Sequence, residues 1–167
     1  SEKNLPTPQV LMQRLVAVKL ARTLDYTQAQ WDEVAEIIDH SRDFTYAHFQ
    51  IQQLRKKYGL QNRVSNTEYE SPQFIFMRMA MSLAVDEPED MKMEHVRQWY
   101  DHFSFNRINA PSPNYINLGT NLNGYASCVI YKAGDNARSL AIGNHIAETM
   151  TYMSAGIGSY IETRTAK

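Results

Sequence analysis

Apolar residues recur at helical spacing through the first two-thirds of the chain, and a short β-branched run appears only near its end. Thr7-Pro8 offers an N-cap followed by proline at the first helical position, and Leu11, Leu15 and Val18 then fall on one face. Thr27 and Gln30 form a capping-box pair ahead of Trp31, Val34 and Ile38. The pattern predicts a third helix from Thr45 to Tyr58, stopped by Gly59. Alternation around Ser65-Asn66 predicts a small hairpin. Ser71-Pro72 opens a further helix in which Phe74, Met77 and Met81 share one face and Phe76, Ala80 and Leu83 another. A helix apolar on most sides belongs in a core. Pro88 opens the next, through Phe103.

The character changes after Asn106. The stretch NAPSPNYINLGTNLNG is rich in Pro, Asn and Gly and is expected to be a loop. Tyr125 to Tyr131 is expected to be a buried strand, Gly134-Asp135-Asn136 the cap of a helix from Ala137 to Ser154, and Gly156-Ile157-Gly158 a turn. SYIETR then opens a second strand. Strand, helix and strand in succession make the unit from which parallel sheets are built. One such unit does not complete a sheet that needs both faces covered. Pattern alone leaves two architectures open: the front of a larger α/β domain, or a helical domain with a small terminal sheet.

Composition narrows the function classes. A net charge of -1, with 43% hydrophobic and 21% charged residues, gives no basic surface for nucleic acid or an anionic membrane. No apolar run approaches the roughly 20 residues that span a bilayer, and SEKNLPTPQ lacks the features of a signal peptide. A single cysteine, Cys128, forms no internal disulfide, which fits a reducing compartment. The expectation is a cytoplasmic protein.

The candidate chemistry is sparse. A lone strand cysteine is most often a small buried hydrophobe, and Ser127 beside it points to the opposite pleat face. None of His40, His48, His95, His102 and His145 has zinc-like spacing to another ligand. Asp39, His40 and Asp43 suit helix capping better than metal binding, so no metal site is expected. The acidic run Glu87, Glu89, Asp90 and Glu94 suits a helix dipole. Asp135-Asn136 sits at a strand–helix junction, which caps a helix and in open α/β folds also meets nucleotides.

Six segments in order and spacing carry more information than any one of them: IDHSRDFTY, QLRKKYGLQNRV, YESPQFIFMRMAMSLA, YDHFSFNRINAPSPNYINLGT, ASCVIYKAGDN and SAGIGSYIETR. From about residue 24 to 164 the series resembles the large, catalytic subunit of class I ribonucleotide reductase. The resemblance implies a mainly α chain holding the start of an α/β barrel. Residues 1–106 would be a helical N-terminal domain without the family's ATP-cone. Residues 107–167 would be the first strand-helix-strand unit of a ten-stranded barrel, incomplete without a second chain.

The same resemblance implies roles. Cys128 would be one half of the cysteine pair oxidised to a disulfide as ribose is reduced. Ser127 would contact the substrate ribose. Pro111-Ser112-Pro113 matches the family's diphosphate-binding loop, with Ser112 keeping the hydroxyl donor. Ala155 and Gly156, in the AGIG segment, would lie near the substrate. Asp135, Asn136 and Ala137 would serve the allosteric specificity nucleotide, a dNTP or ATP, with Arg164 as a further candidate one residue off the family's spacing.

The partner cysteine and the radical cysteine of the family have no counterpart in a sequence with one thiol. The resemblance therefore implies the N-terminal fragment of a split or truncated catalytic subunit, an arrangement expected of interrupted viral genes. It would be inactive alone. Its partners would be the complementary C-terminal fragment, a second copy of the large subunit, a small subunit holding the radical metallocofactor, and thioredoxin or glutaredoxin. A non-catalytic fragment that binds nucleotides or regulates an intact reductase is the alternative.

Overall fold

The structure is a computed structural model and describes residues 5–153 and 155–162. Helix α1 (Pro8–Ala17) starts as its cap dictates, with Thr7 Oγ1 accepting from the Val10 amide at 3.3 Å and Pro8 in the first turn. It buries Leu11, Met12 and Leu15. Val18 falls outside the buried face because the helix ends at Ala17 and Lys19 turns the chain with φ 60°. Helix α2 (Gln28–Ile37) carries the complete capping box. Thr27 Oγ1 accepts from the Gln30 amide, and Gln30 Oε1 accepts from the Thr27 amide at 2.9 Å. Trp31, Val34 and Ile37 face the core, whereas Ile38 is the extended cap.

The expected third helix is divided. A 3-10 turn (His40–Thr45) precedes α3 (His48–Gln53), which continues into a π-helical segment, Leu54–Tyr58. The Gly59 amide closes that segment on the Leu54 carbonyl at 2.8 Å. A hairpin follows, of β1 (Gln61–Asn62) and β2 (Thr67–Glu68), antiparallel, with Asn66 at φ 54° in its turn. Helix α4 (Pro72–Ala84) is buried on nearly every side and packs along α5 (Glu89–Ser104). The core gathers around Ile75, Met79, Val96 and Tyr100, each fully enclosed, and reaches from Leu11 to Leu118.

The stretch expected to be a loop contains a short helix, α6 (Ser112–Asn117). Pro113 in its first turn needs no amide partner, so the proline that signals a loop by composition opens a helix instead. Tyr115 and Leu118 then join the helical core. The last described unit is β3 (Cys128–Ala133), α7 (Ala137–Tyr152) and β4 (Gly156–Ile161). β3 and β4 pair in parallel from Cys128↔Gly156 to Ala133↔Ile161. The expected strand–helix–strand unit is therefore present, three residues later than Tyr125 at its start. Gly156 and Gly158 lie within β4 and not in a turn. Gly143 lets α7 approach β3, since a Cβ there would stand 2.6 Å from Tyr131 Cε2.

Cys128 is not buried. It is the first residue of β3 and its side chain is exposed, as are Ile130 and Lys132 on the same face. Ile130 is 84% accessible and Tyr160 59%, so this pair of strands presents uncovered apolar surface. No helix among the described residues is long and apolar enough to cross a membrane.

Candidate functional site

The parallel register brings four of the expected site residues together at the amino ends of β3 and β4. Cys128 stands opposite Gly156, whose amide donates to the Ser127 carbonyl at 2.7 Å. Ser127 Oγ lies 3.9 Å from Cys128 Sγ. A side chain at Gly156 would come within 3.4 Å of the Ser127 carbonyl oxygen and 4.0 Å of the thiol, so glycine leaves the ground beside the sulfur open. Ala155, next to it, is buried, and its amide donates to the Met150 carbonyl at the end of α7. The arrangement is an accessible thiol flanked by a hydroxyl and by backbone without a side chain.

The residues expected to serve the specificity nucleotide lie at the other end of the same strand. Five residues separate Cys128 from Ala133, roughly 16 Å at strand rise. Beyond Ala133, Asn136 caps α7, its Oδ1 accepting from the Ser139 amide at 2.8 Å, while Ser139 Oγ accepts from the Gly134 amide at 2.8 Å. Asp135, Asn136 and Ala137 are all exposed at this carboxyl end, the edge where open α/β units meet ligands. Lys132 and Glu162 pair across the strand ends at 3.1 Å. Arg164 lies outside the described residues.

Ser112 sits on a third element, at the start of α6. Its Oγ is 3.1 Å from the Tyr58 hydroxyl. The Tyr58 ring stacks on Tyr115 of the same short helix, with centroids 4.8 Å apart. Burial pushes the Tyr58 hydroxyl up, but hydrogen bonding with Ser112 and Lys57, together with the charge of Lys57, outweighs it and holds the group below the ordinary tyrosine value.

The far end of α6 is held from beneath by Arg78. Its Nε and one terminal nitrogen donate to Glu70 at 2.7 and 3.0 Å, and the guanidinium also donates to the Tyr115 carbonyl at 3.0 Å and to the Leu118 carbonyl. The turn that follows needs Gly119. Its φ is +78°, and a Cβ would meet Arg78 Cγ at 2.8 Å. Neither Tyr58 nor the Arg78–Glu70 pair was singled out from the sequence. The available signal was Arg78 itself, the one charge in PQFIFMRMAMSLA, because a charge on a buried helix requires a partner.

Asp39 and Arg42 form a cap and an ion pair: Asp39 Oδ1 accepts from the Ser41 amide, and Arg42 Nε lies 3.5 Å from Asp39 Oδ2. Among the described residues no three His, Cys, Asp or Glu side chains converge on a metal position.

Comparison with known proteins bears on the helical part of the chain and on its relatives. Residues 43–123 match the ribonucleotide reductase all-alpha domain. The chain is 34% identical over 139 residues to the ribonucleoside-diphosphate reductase 1 subunit alpha of Escherichia coli (strain K12) and to the corresponding subunit of Haemophilus influenzae, covering 80% of this chain and 18% of each relative. The subunit alpha of Enterobacteria phage T4 is 36% identical over 123 residues, 72% of this chain and 16% of the relative. The chain thus spans under a fifth of the length of the curated relatives it matches. It belongs to the family of ribonucleotide reductase large subunits, through that family's all-alpha domain.

Proposed function

We propose that the chain serves as the N-terminal part of a ribonucleotide reductase catalytic subunit. In this reading it contributes one redox cysteine and part of the substrate and effector sites for reducing ribonucleoside diphosphates to deoxyribonucleoside diphosphates. The observation that carries the reading is the exposed Cys128 at the amino end of a parallel strand pair, opposite Gly156 and beside Ser127. Two thiols are oxidised to a disulfide while the ribose loses its 2′ hydroxyl as water and gains a C–H bond. Cys128 supplies one thiol. The sequence holds no second, so the other comes from a separate segment of polypeptide, together with the radical cysteine.

Ser112 and Ser127 donate hydrogen bonds to substrate phosphate and ribose, and Ala155 and Gly156 leave room beside the sulfur. Asp135, Asn136, Ala137 and Arg164 contribute to the effector site, roughly a strand length away. Residues 1–106 form the helical part and 107–167 the first unit of the barrel. The uncovered apolar strands, with Ile130 and Tyr160 exposed, support pairing with further strands, because an unpaired parallel edge invites association. A second copy of the large subunit, a radical-generating small subunit with its metallocofactor, and thioredoxin or glutaredoxin complete the assembly.

Affinity purification of the chain from its native cells, with mass spectrometry of what co-elutes, tests this directly. The expected result is a stoichiometric polypeptide carrying the missing cysteines, or one longer polypeptide containing both. Recovery of the chain alone, without reductase activity in the eluate, would overturn it.

A further inference from the structure

We infer that Tyr58 is a positioning residue for Ser112, fixing the serine hydroxyl so that its hydrogen points to an anionic group of the substrate. The inference rests on the role of Ser112 given above. The two oxygens are 3.1 Å apart, and Tyr58 comes from the π-helical segment while Ser112 opens α6. A phenol is the stronger acid of the two, so Tyr58 donates and Ser112 Oγ accepts. The serine hydrogen is then left free to donate elsewhere, and it is polarised by the bond behind it.

Three further features fix Tyr58 in this role. Its ring stacks on Tyr115, so the same side chain clamps both the start and the middle of α6. The π turn is a local departure from α-helix of the kind that collects at functional sites, and it sets Lys57 beside the phenol, with Nζ 5.1 Å from the ring centroid. The ring also walls a cavity of about 340 Å³, lined with Tyr46, Gln50, Gln53 and Asn109 among others, so the phenol is not sealed in the core.

Ionisation of Tyr58 would reverse the arrangement. A phenolate accepts from Ser112, takes the serine hydrogen away from the ligand and adds negative charge beside it. The groups facing the phenol are Lys57 on its own element, Gln53 one turn earlier, and Ser112 and Tyr115 on α6, with Tyr46 across the cavity. Lys57 is the only cation among them.

The test is steady-state kinetics of the assembled reductase with a nucleoside diphosphate, using Tyr58→Phe, Ser112→Ala and the double variant. Phenylalanine keeps the stacking and removes only the hydroxyl. Tyr58→Phe is expected to raise KM roughly three- to ten-fold, the worth of one hydrogen bond, with kcat little changed. The double variant should be no worse than Ser112→Ala alone. Wild-type KM should rise in alkali below pH 10, and that rise should vanish in Tyr58→Phe.

A readout on the chain itself accompanies the kinetics. The Tyr58 ionisation followed by ultraviolet absorbance, by difference from Tyr58→Phe, should move up in Ser112→Ala. If Ser112→Ala leaves KM unchanged, the role of Ser112 is wrong and the inference falls with it. If Ser112→Ala raises KM but Tyr58→Phe does not, or the two effects simply multiply, the inference alone is overturned. An unmoved Tyr58 ionisation in Ser112→Ala would overturn it equally.

Discussion

Arg78 and Glu70 form an ion pair with both side chains 1% exposed, and that pair also secures two other segments. Glu70 Oε2 accepts from the Leu60 amide at 2.7 Å, and the Arg78 guanidinium takes the Tyr115 and Leu118 carbonyls at the end of α6. Both charged side chains are out of water, so they depend on one another and on the backbone groups they meet. Arg78→Met would leave a buried carboxylate without its counter-charge, with only the Leu60 amide donating to it, and would take the side-chain donor from two carbonyls. The expected cost is about 3–5 kcal/mol, against a smaller loss when Arg78 and Glu70 are replaced together by apolar residues. Chemical denaturation of the single and double variants checks this. A double-variant loss equal to the sum of the two single losses would show that the pair is not coupled.

Much of the fold was legible where the deciding interaction is local. Thr7-Pro8 and Thr27 with Gln30 mark helix starts through contacts three residues apart, and both are formed. The apolar run of α4 announced a buried helix for the same reason, since periodicity within one segment fixes its faces. Helix α6 was hidden because Ser112-Pro113 reads equally well as a turn, and its helical form rests on contacts distant in sequence, with α4, Arg78 and Tyr58. Glu70 and Arg78 are eight residues apart across a helix start, a spacing at which no local rule pairs them. The order of the Cys128 strand, α7 and the second strand was correct, and so was the cap at Asn136. The exposure of Cys128 was not legible, because pleat alternation assigns a residue to a face and does not say which face is covered.

The exposed thiol sets an expectation for Cys128→Ser. The residue is exposed, so the change in stability should stay within about 0.5 kcal/mol. In the assembled reductase the same substitution should abolish sustained turnover while assembly persists. In the folded chain, Cys128 should take up one equivalent of a maleimide reagent without denaturant. Labelling only after unfolding would contradict the exposed placement; normal sustained turnover of the serine variant would remove the redox role.

Gly143 tests the seating of α7 on β3. Alanine normally helps a helix interior by about 1 kcal/mol over glycine. Here the added Cβ would stand 2.6 Å from Tyr131 Cε2, and overpacking of this kind costs about 1–3 kcal/mol. The second effect is the larger, so Gly143→Ala should destabilise. In a Tyr131→Ala background the obstacle is gone and the same substitution should stabilise. Thermal denaturation of the four proteins distinguishes this from a general intolerance at position 143, for which the sign would not change.

Alkaline pH should unfold the helical part through its tyrosines. Tyr26 donates to the Met81 carbonyl at 2.7 Å, Tyr46 to the Ser104 carbonyl at 2.6 Å and Tyr100 to Gln73 Oε1 at 2.7 Å. Burial pushes all three upward, Tyr46 to about 12, and raises Tyr115 as well. A phenol that stays protonated longer in the folded chain than in the unfolded one contributes stability that is fully present below the unfolded value near 10. That contribution is lost as pH rises through the folded value, because the unfolded chain then holds fewer protons. Tyr58 is shifted the other way, one group against four. Melting temperature should therefore hold steady up to about pH 10 and fall between about pH 10 and 12. Tyr46→Phe should flatten the fall, since that ring keeps its stacking on Phe76 and has no proton to lose. A fall of unchanged steepness in Tyr46→Phe would mean that Tyr46 does not drive the transition.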